Sequence, residues 1–128
     1  MNALGIDVSK YNGPVNWEVA KENGVTYAGM RASISWGYRD PWIGYNLSEC
    51  KRLGIFIMPY HVLYPGENVP RQVDNFLNAC AVSWEFEIPV LDLELTHGQS
   101  KATHYYRCGS LARTGRSQNR KETDYLQS

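Results

Sequence analysis

The sequence lacks the features of membrane-spanning, nucleic-acid-binding and exported proteins. Its 128 residues contain no apolar run of the length, about 18 residues, that a transmembrane helix needs. Lysine and arginine total 13, as do aspartate and glutamate, so no net basic charge favours nucleic acid. The start MNALGIDVSK lacks the basic and apolar segments of a signal peptide. We therefore expect a globular monomer that binds neither membrane nor nucleic acid and is cytoplasmic until another route releases it.

Cysteine is also scarce, with only Cys50, Cys80 and Cys108 in the chain. The number is odd, and the spacing does not match that of metal-binding cysteines. This excludes a disulfide framework as the basis of the fold and predicts buried or free thiols.

What the sequence does contain is an alternation of strand and helix patterns. Four short apolar segments are typical of buried strands, at residues 3–9, 25–33, 55–62 and 88–95. Helical periodicity fills each of the three intervals between them. Strands that alternate with helices form a parallel sheet, so we expect an α/β fold with about four parallel strands.

Capping residues predict where the helices begin and end. Asn16 suits the N-cap of the first helix, which Gly24 would stop. Asp40, followed by Pro41, suits the N-cap of the second helix, which would run to Gly54. The third helix is predicted over RQVDNFLNACAV.

Polar residues stand at the carboxyl ends of the predicted strands. In parallel α/β proteins these ends meet at one edge of the sheet, where sites are found. The residues, from all four strands, are Asp7, Arg31, Tyr60, His61, Asp92 and Glu94. Their convergence is the main functional signal of the sequence.

In the stretch VLDLEL, two of these acids lie between residues that are all valine or leucine. Side chains of a strand alternate, so Asp92 and Glu94 share the face opposite the leucines. Two carboxylates held together and away from water favour protonation of one of them. Such a group can donate a proton near neutral pH, which predicts acid catalysis.

Structural explanations stand beside the functional ones. Asp7 could cap the turn at VSKYNG, and Arg31 could be the ion-pair partner of one of the acids. His61 fits a hydrogen-bonded core histidine better than a base or ligand. Aromatic side chains such as Tyr38 and Tyr64 serve packing as well as they serve sugar binding. A divalent-metal site of Asp7, His61, Asp92 and Glu94 is a further alternative, which the lack of a two-histidine motif disfavours.

Several motifs together resemble the N-terminal half of the family 25 glycoside hydrolases, the lysozymes of the bacterial and phage muramidase type. They are GIDVSKYNGPVNW, YAGMRAS with YRDP, KRLGIFIMPYHVLYP, RQVDNFLNAC and PVLDLEL, spread over residues 3 to 102. The resemblance implies a modified β/α barrel. It also implies cleavage of the β-1,4 bond between N-acetylmuramic acid and N-acetylglucosamine in peptidoglycan, without a metal or other cofactor.

The resemblance also implies roles for single residues. Glu94 matches the proton donor, Asp92 the acid that orients the substrate N-acetyl group, and Asp7 the first-strand acid. Substrate contacts are expected from a further set: Tyr60, Arg31, Tyr38, His61 and Tyr64. A glycosidase needs one protonated and one negative carboxyl group, which accounts for the two acids of VLDLEL.

The last part of the chain loses this resemblance. We expect residues 1–102 to be the N-terminal part of the catalytic domain and residues 103–128 to be an aberrant tail. Read one nucleotide later, codons for residues 122–127 can encode KPIIYS, a strand-like segment of the same family, so a frame slip is our hypothesis. A barrel left incomplete has an open edge and predicts reduced or no activity. The alternatives are a non-catalytic peptidoglycan-binding remnant and a pseudogene product.

Overall fold

The computed structural model describes residues 2–81 and 86–94, in which strands and helices alternate. The strands are β1 Leu4–Val8, β2 Val25–Ile34, β3 Tyr38–Arg39, β4 Phe56–Val62 and β5 Val90–Asp92. The helices are α1 Trp17–Glu22, α2 Ile43–Leu53 and α3 Val69–Ala79. A single 3-10 turn, Lys10–Asn12, follows β1.

The sheet has the order β1-β2-β4-β5, and each of these neighbours pairs in parallel. Each parallel connection passes through one helix, as expected for strands that leave and re-enter a sheet at opposite ends. The expected α/β fold with four parallel strands and three helices is confirmed. The open sheet is consistent with part of a TIM-like barrel.

One face of the sheet is covered by the three helices. The apolar core there combines β-strand residues with residues from every helix, including Met30, Ile57, Trp17, Leu47 and Cys80. Burying such side chains stabilises the fold by roughly 1.5 to 3 kcal/mol each. Both described cysteines, Cys50 and Cys80, are free thiols in this layer, as predicted.

Two of the predicted helix ends are confirmed. The Asn16 side chain caps α1 by accepting a hydrogen bond from the Val19 N–H, at 3.1 Å. Gly54 ends α2 with φ of 70°, a left-handed conformation that glycine adopts without a steric penalty.

Asp40 is not the N-cap of α2, contrary to the prediction from its sequence position. The helix begins at Ile43 after Trp42, while the Asp40 carboxylate is 2% exposed and accepts a bond from the Trp42 N–H. Its other oxygen accepts bonds from the backbone N–H of Lys10 and from Arg31. A buried carboxylate needs this full set of donors, and it therefore joins three segments instead of capping one helix.

The short antiparallel strand β3 was not predicted. It pairs with the end of β2, and the turn between them contains Ser35 at φ of 51°. Buried Asn75 of α3 holds this turn, because its amide group donates to the carbonyl oxygens of Ser35 and Tyr38. Its side-chain oxygen accepts a bond from Arg39. The hairpin thus depends on a side chain about 40 residues away in sequence.

β5 is shorter than the predicted strand. Only Val90–Asp92 pair with β4, and Leu93 and Glu94 follow without strand pairing. Within the described residues, β1 and β5 form the two edges of the sheet. None of the helices in these two ranges has the length and apolar content needed to cross a membrane.

Candidate active site

The face of the sheet opposite the helices carries a cleft of about 350 Å³. Its lining comes from four strands: Gly5, Ile6, Asp7, Tyr27, Gly29, Met58, Tyr60 and Val90. The Tyr27 ring packs directly over Gly5, since an added methyl group there would lie 2.0 Å from it. Gly29 lies beside the Asp7 carboxylate, which a methyl group at position 29 would contact at 3.7 Å.

Asp7, Tyr60 and Asp92 come together at the carboxyl end of this cleft. The Tyr60 hydroxyl donates a hydrogen bond to the Asp7 carboxylate. Partial burial raises the pKa of Asp7, the Tyr60 bond opposes that rise, and the nearby charge of Asp92 adds to it. Burial and the Asp7 charge also raise the pKa of Tyr60 to about 12, so Tyr60 stays a donor. The structure therefore pairs Asp7 with Tyr60 and places Asp92 near enough for its charge to act on both.

Glu94 lies two residues beyond the last paired residue of β5, and its side chain is exposed. Asp92, by contrast, is half-buried, and its carbonyl oxygen accepts a bond from the Leu63 N–H. The alternation predicted for VLDLEL therefore holds for Val90 and Asp92 but does not extend to a strand that includes Glu94.

Arg31 is an ion-pair partner, as one alternative proposed, but its partner is an acid outside the predicted set. Its Nε atom lies 3.0 Å from the buried Asp40 carboxylate. Its guanidinium also lies near enough to Tyr60 to oppose the rise in the pKa of that tyrosine. Arg31 therefore lies beside the cleft residue Tyr60, and its ion pair with buried Asp40 fixes its position.

Two aromatic rings enclose the Arg31 guanidinium, whose central carbon lies 5.4 Å from the ring centroids of both Tyr11 and Tyr38. The ammonium of Lys10 lies 5.6 Å from the Tyr11 ring and 5.9 Å from the Tyr38 ring. We call Lys10, Tyr11, Arg31 and Tyr38 the cationic rim. Sequence reasoning identified Arg31 and Tyr38 but missed Lys10 and Tyr11, although both lie in the KYN turn directly after the first strand.

His61 lies on the helix-covered face of β4 and is 2% exposed. Its Nδ1 is 2.7 Å from the Ser33 hydroxyl, and its Nε2 is 2.9 Å from the Gln72 carbonyl oxygen. Gln72 also bonds the backbone N–H and C=O of Tyr64, which follows β4. Burial lowers the pKa of His61. The position is that of a neutral core histidine, away from the cleft, that supports the segment carrying Tyr64.

No three described His, Cys, Asp or Glu side chains lie together in a way that could hold a metal ion. The histidine of the alternative metal set, His61, lies on the opposite face of the sheet from Asp7.

A parallel α/β sheet that brings carboxylates to the carboxyl end of a cleft is the arrangement of barrel-type enzymes. Comparison with known proteins defines the family: residues 6–127 match the model described as Glycosyl hydrolases family 25, and the chain belongs to this family.

Individual relatives agree with this assignment. The chain is 26% identical over 103 residues to "Lysozyme M1" of Streptomyces globisporus. A family 25 glycosyl hydrolase from Bacillus anthracis shares its fold with a TM-score of 0.84 at 15% identity, over 94% of this chain. The bacterial lysozyme from Streptomyces coelicolor gives a TM-score of 0.80 at 22% identity, over 91% of this chain.

The chain spans only part of these relatives. The match covers 35% of Lysozyme M1, and 58% of both the Bacillus anthracis and the Streptomyces coelicolor chains.

Proposed function

We propose that this chain carries the N-terminal part of an N-acetylmuramidase site, which cleaves the β-1,4 bond between N-acetylmuramic acid and N-acetylglucosamine in peptidoglycan. The observation that carries this proposal is the pairing of Asp7 with Tyr60 in one open cleft, with Asp92 at the end of the strand that lines its far side. Membership of a glycosyl hydrolase family supports hydrolysis of a glycosidic bond as the reaction. A relative named as a lysozyme supports the cell wall as the substrate.

Three acids divide the work of hydrolysis in this proposal. Glu94 donates a proton to the leaving oxygen while the substrate N-acetyl oxygen, oriented by Asp92, attacks the anomeric carbon and the glycosidic bond breaks. Water then attacks the same carbon, opens this cyclic intermediate and returns a proton to Glu94, which gives net retention. The negative charge of Asp92 also stabilises the positive charge that develops at the sugar. Asp7, hydrogen-bonded to Tyr60, contributes a second carboxylate beside Asp92. Sugar rings stack on cleft aromatics such as Tyr60, since flat rings pack against sugar faces.

The decisive experiment replaces the proton donor. Glu94→Gln keeps the size of the side chain but removes the proton, so the rate of peptidoglycan hydrolysis should fall at least about 100-fold. Loss of turbidity of purified cell walls measures the rate. Glu22→Gln, an exposed substitution on α1, is the matched control and should leave the rate unchanged. Near-normal turnover by the Glu94→Gln variant would show that Glu94 is not the proton donor.

A second candidate function is peptidoglycan binding without catalysis. The exposed position of Glu94 favours it, because a proton donor for glycosides normally lies in a site that excludes water. Binding of this chain to purified cell walls without loss of turbidity, unchanged by Glu94→Gln, would identify this function.

We also propose that the 128-residue chain hydrolyses cell walls more slowly than a version with the frame of residues 103–128 restored. All of residues 95–128 lie outside the described residues. The proposal is supported by the exposure of Glu94 and by the position of β5 at an edge of the described sheet. Equal lytic rates for the two versions would contradict both the slower rate and the frame slip.

A further inference from the structure

The cationic rim is built by a buried carboxylate. The Asp40 side chain is inaccessible to solvent, and it binds both the Arg31 guanidinium and the backbone N–H of Lys10. It therefore fixes the charged group of one rim residue and the backbone of another. A carboxylate buried at this cost positions the rim more firmly than surface contacts could.

The cationic rim has two positive charges, and among the described residues only one of them has an ion-pair partner. Asp40 neutralises Arg31, with 3.0 Å between the charged groups. Around Lys10, the described parts of the chain place no carboxylate within ion-pair distance of the ammonium. The Tyr11 ring beside it is 82% exposed. Among residues 2–81 and 86–94, the Lys10 ammonium thus has no ion-pair partner, and it lies next to the exposed ring of Tyr11.

The rim continues the cleft of the proposed site. Arg31 of β2 and Tyr60 of β4 are partners across the two paired strands, and Tyr60 is hydrogen-bonded to Asp7. Lys10 follows Asp7 by three residues, in the 3-10 turn after the same strand. A glycan bound against Asp7 and Tyr60 would therefore place its substituents beside Lys10 and Tyr11.

We propose that the cationic rim binds a carboxylate of the peptide that peptidoglycan carries on its muramic acid, and so selects glycan with acidic peptides. This rests on the proposed function. Neutral N-acetylglucosamine polymers lack such a group. A lysine beside a tyrosine ring binds a carboxylate by a charge-assisted hydrogen bond while the ring packs against the peptide stem. Arg31, enclosed between two rings and bound to Asp40, keeps Tyr11 and Tyr38 in place.

The experiment measures binding by the full 128-residue chain with isothermal titration calorimetry. Three soluble probes are compared: a muramyl disaccharide with an acidic peptide, the same fragment with its carboxylates converted to amides, and an N-acetylglucosamine oligomer. We expect the acidic fragment to bind about 5- to 10-fold more tightly than the amidated one, the usual scale for a charge-assisted hydrogen bond. The difference should shrink as salt concentration rises.

Lys10→Met should abolish this preference by weakening the binding of the acidic fragment to about that of the amidated one, while the backbone bond of residue 10 to Asp40 is kept. Lys51→Met on α2 removes the same charge elsewhere and should retain the preference. Equal affinity of the wild-type chain for the acidic and amidated fragments would overturn this inference but not the proposed function. A preference that survives Lys10→Met would also overturn it. Failure to bind any of the three probes would overturn both the inference and the proposed function.

Discussion

Single residues show how far chemistry can be anticipated from sequence. Asp7, Tyr60 and Asp92 were predicted at strand ends, and the structure brings them together because parallel strands share a carboxyl edge. Lys10 and Asp40 were missed as functional positions. Nothing in the local sequence says that the carboxylate of Asp40 is bound by an arginine nine positions earlier and a backbone N–H thirty positions earlier. Such contacts depend on tertiary packing.

The pH dependence of stability follows from Asp7. Asp7 is an exposed residue, but partial desolvation raises its pKa above the ordinary 3.8, so the folded state binds the proton slightly more tightly than the unfolded state does, and solvent screening keeps this difference small. The stability linked to this group is complete below pH 3.8 and is lost as pH rises through the folded pKa.

Asp7→Asn removes this titration while its side-chain oxygen still accepts the Tyr60 bond. Because solvent screens this exposed group, we expect a melting temperature only about 1 °C above wild type at pH 7 and no gain at pH 3.5. Thermal unfolding followed by circular dichroism at both pH values measures this. The exposed Asp74→Asn substitution on α3 is the control and should change neither melt. A less stable Asp7→Asn variant at pH 7 would show that the charged carboxylate is favoured by folding.

At the level of elements, most strands and helices could be predicted because their signals are local. Apolar runs define β2 and β4, and Asn16 and Gly54 set helix ends through their own conformational preferences. Strand β3 could not be predicted, because two residues carry no periodicity and the turn is held from α3. The predicted start of α3 was two residues late, since Asn68 caps the helix and Pro70 lies in its first turn.

The β2-β3 hairpin gives a prediction at this level. Asn75→Ala would remove the side-chain donor to the part-buried carbonyl oxygens of Ser35 and Tyr38, and would cost about 2 kcal/mol in the free energy of unfolding. Asn78→Ala, an exposed change on the same helix, controls for helix propensity and should stay within about 0.5 kcal/mol. Urea unfolding measures both. Equal effects of the two substitutions would show that the hairpin is held by other contacts.

For the whole molecule, the two faces of the sheet differ in how they are covered. The helices bury one face, whereas the cleft face exposes large apolar side chains, with Tyr27 36%, Phe56 39% and Val90 39% exposed. Apolar surface of this kind marks a place where a ligand or further polypeptide packs. The sequence could not predict the exposure of this face, because strands of a parallel sheet are apolar on both sides.

This face should bind an apolar fluorescent dye such as anilinonaphthalene sulfonate. Phe56→Thr removes the ring but introduces a β-branched residue that strands favour, so dye fluorescence should fall by at least about half if the cleft face is the binding surface. Val19→Thr makes a comparable change at a side chain 48% exposed on α1 and should leave the fluorescence unchanged. A larger loss with Val19→Thr would place the dye on the helix layer.

The buried Asp40 carboxylate also has a consequence for local breathing of the fold. The amide hydrogens of Lys10 and Trp42 are bonded to its two oxygens, although one lies after β1 and the other before α2. An opening that withdraws this carboxylate exposes both amides to solvent at once, so their hydrogen exchange is governed by one event. The turn after the first strand and the start of the second helix therefore open and close together.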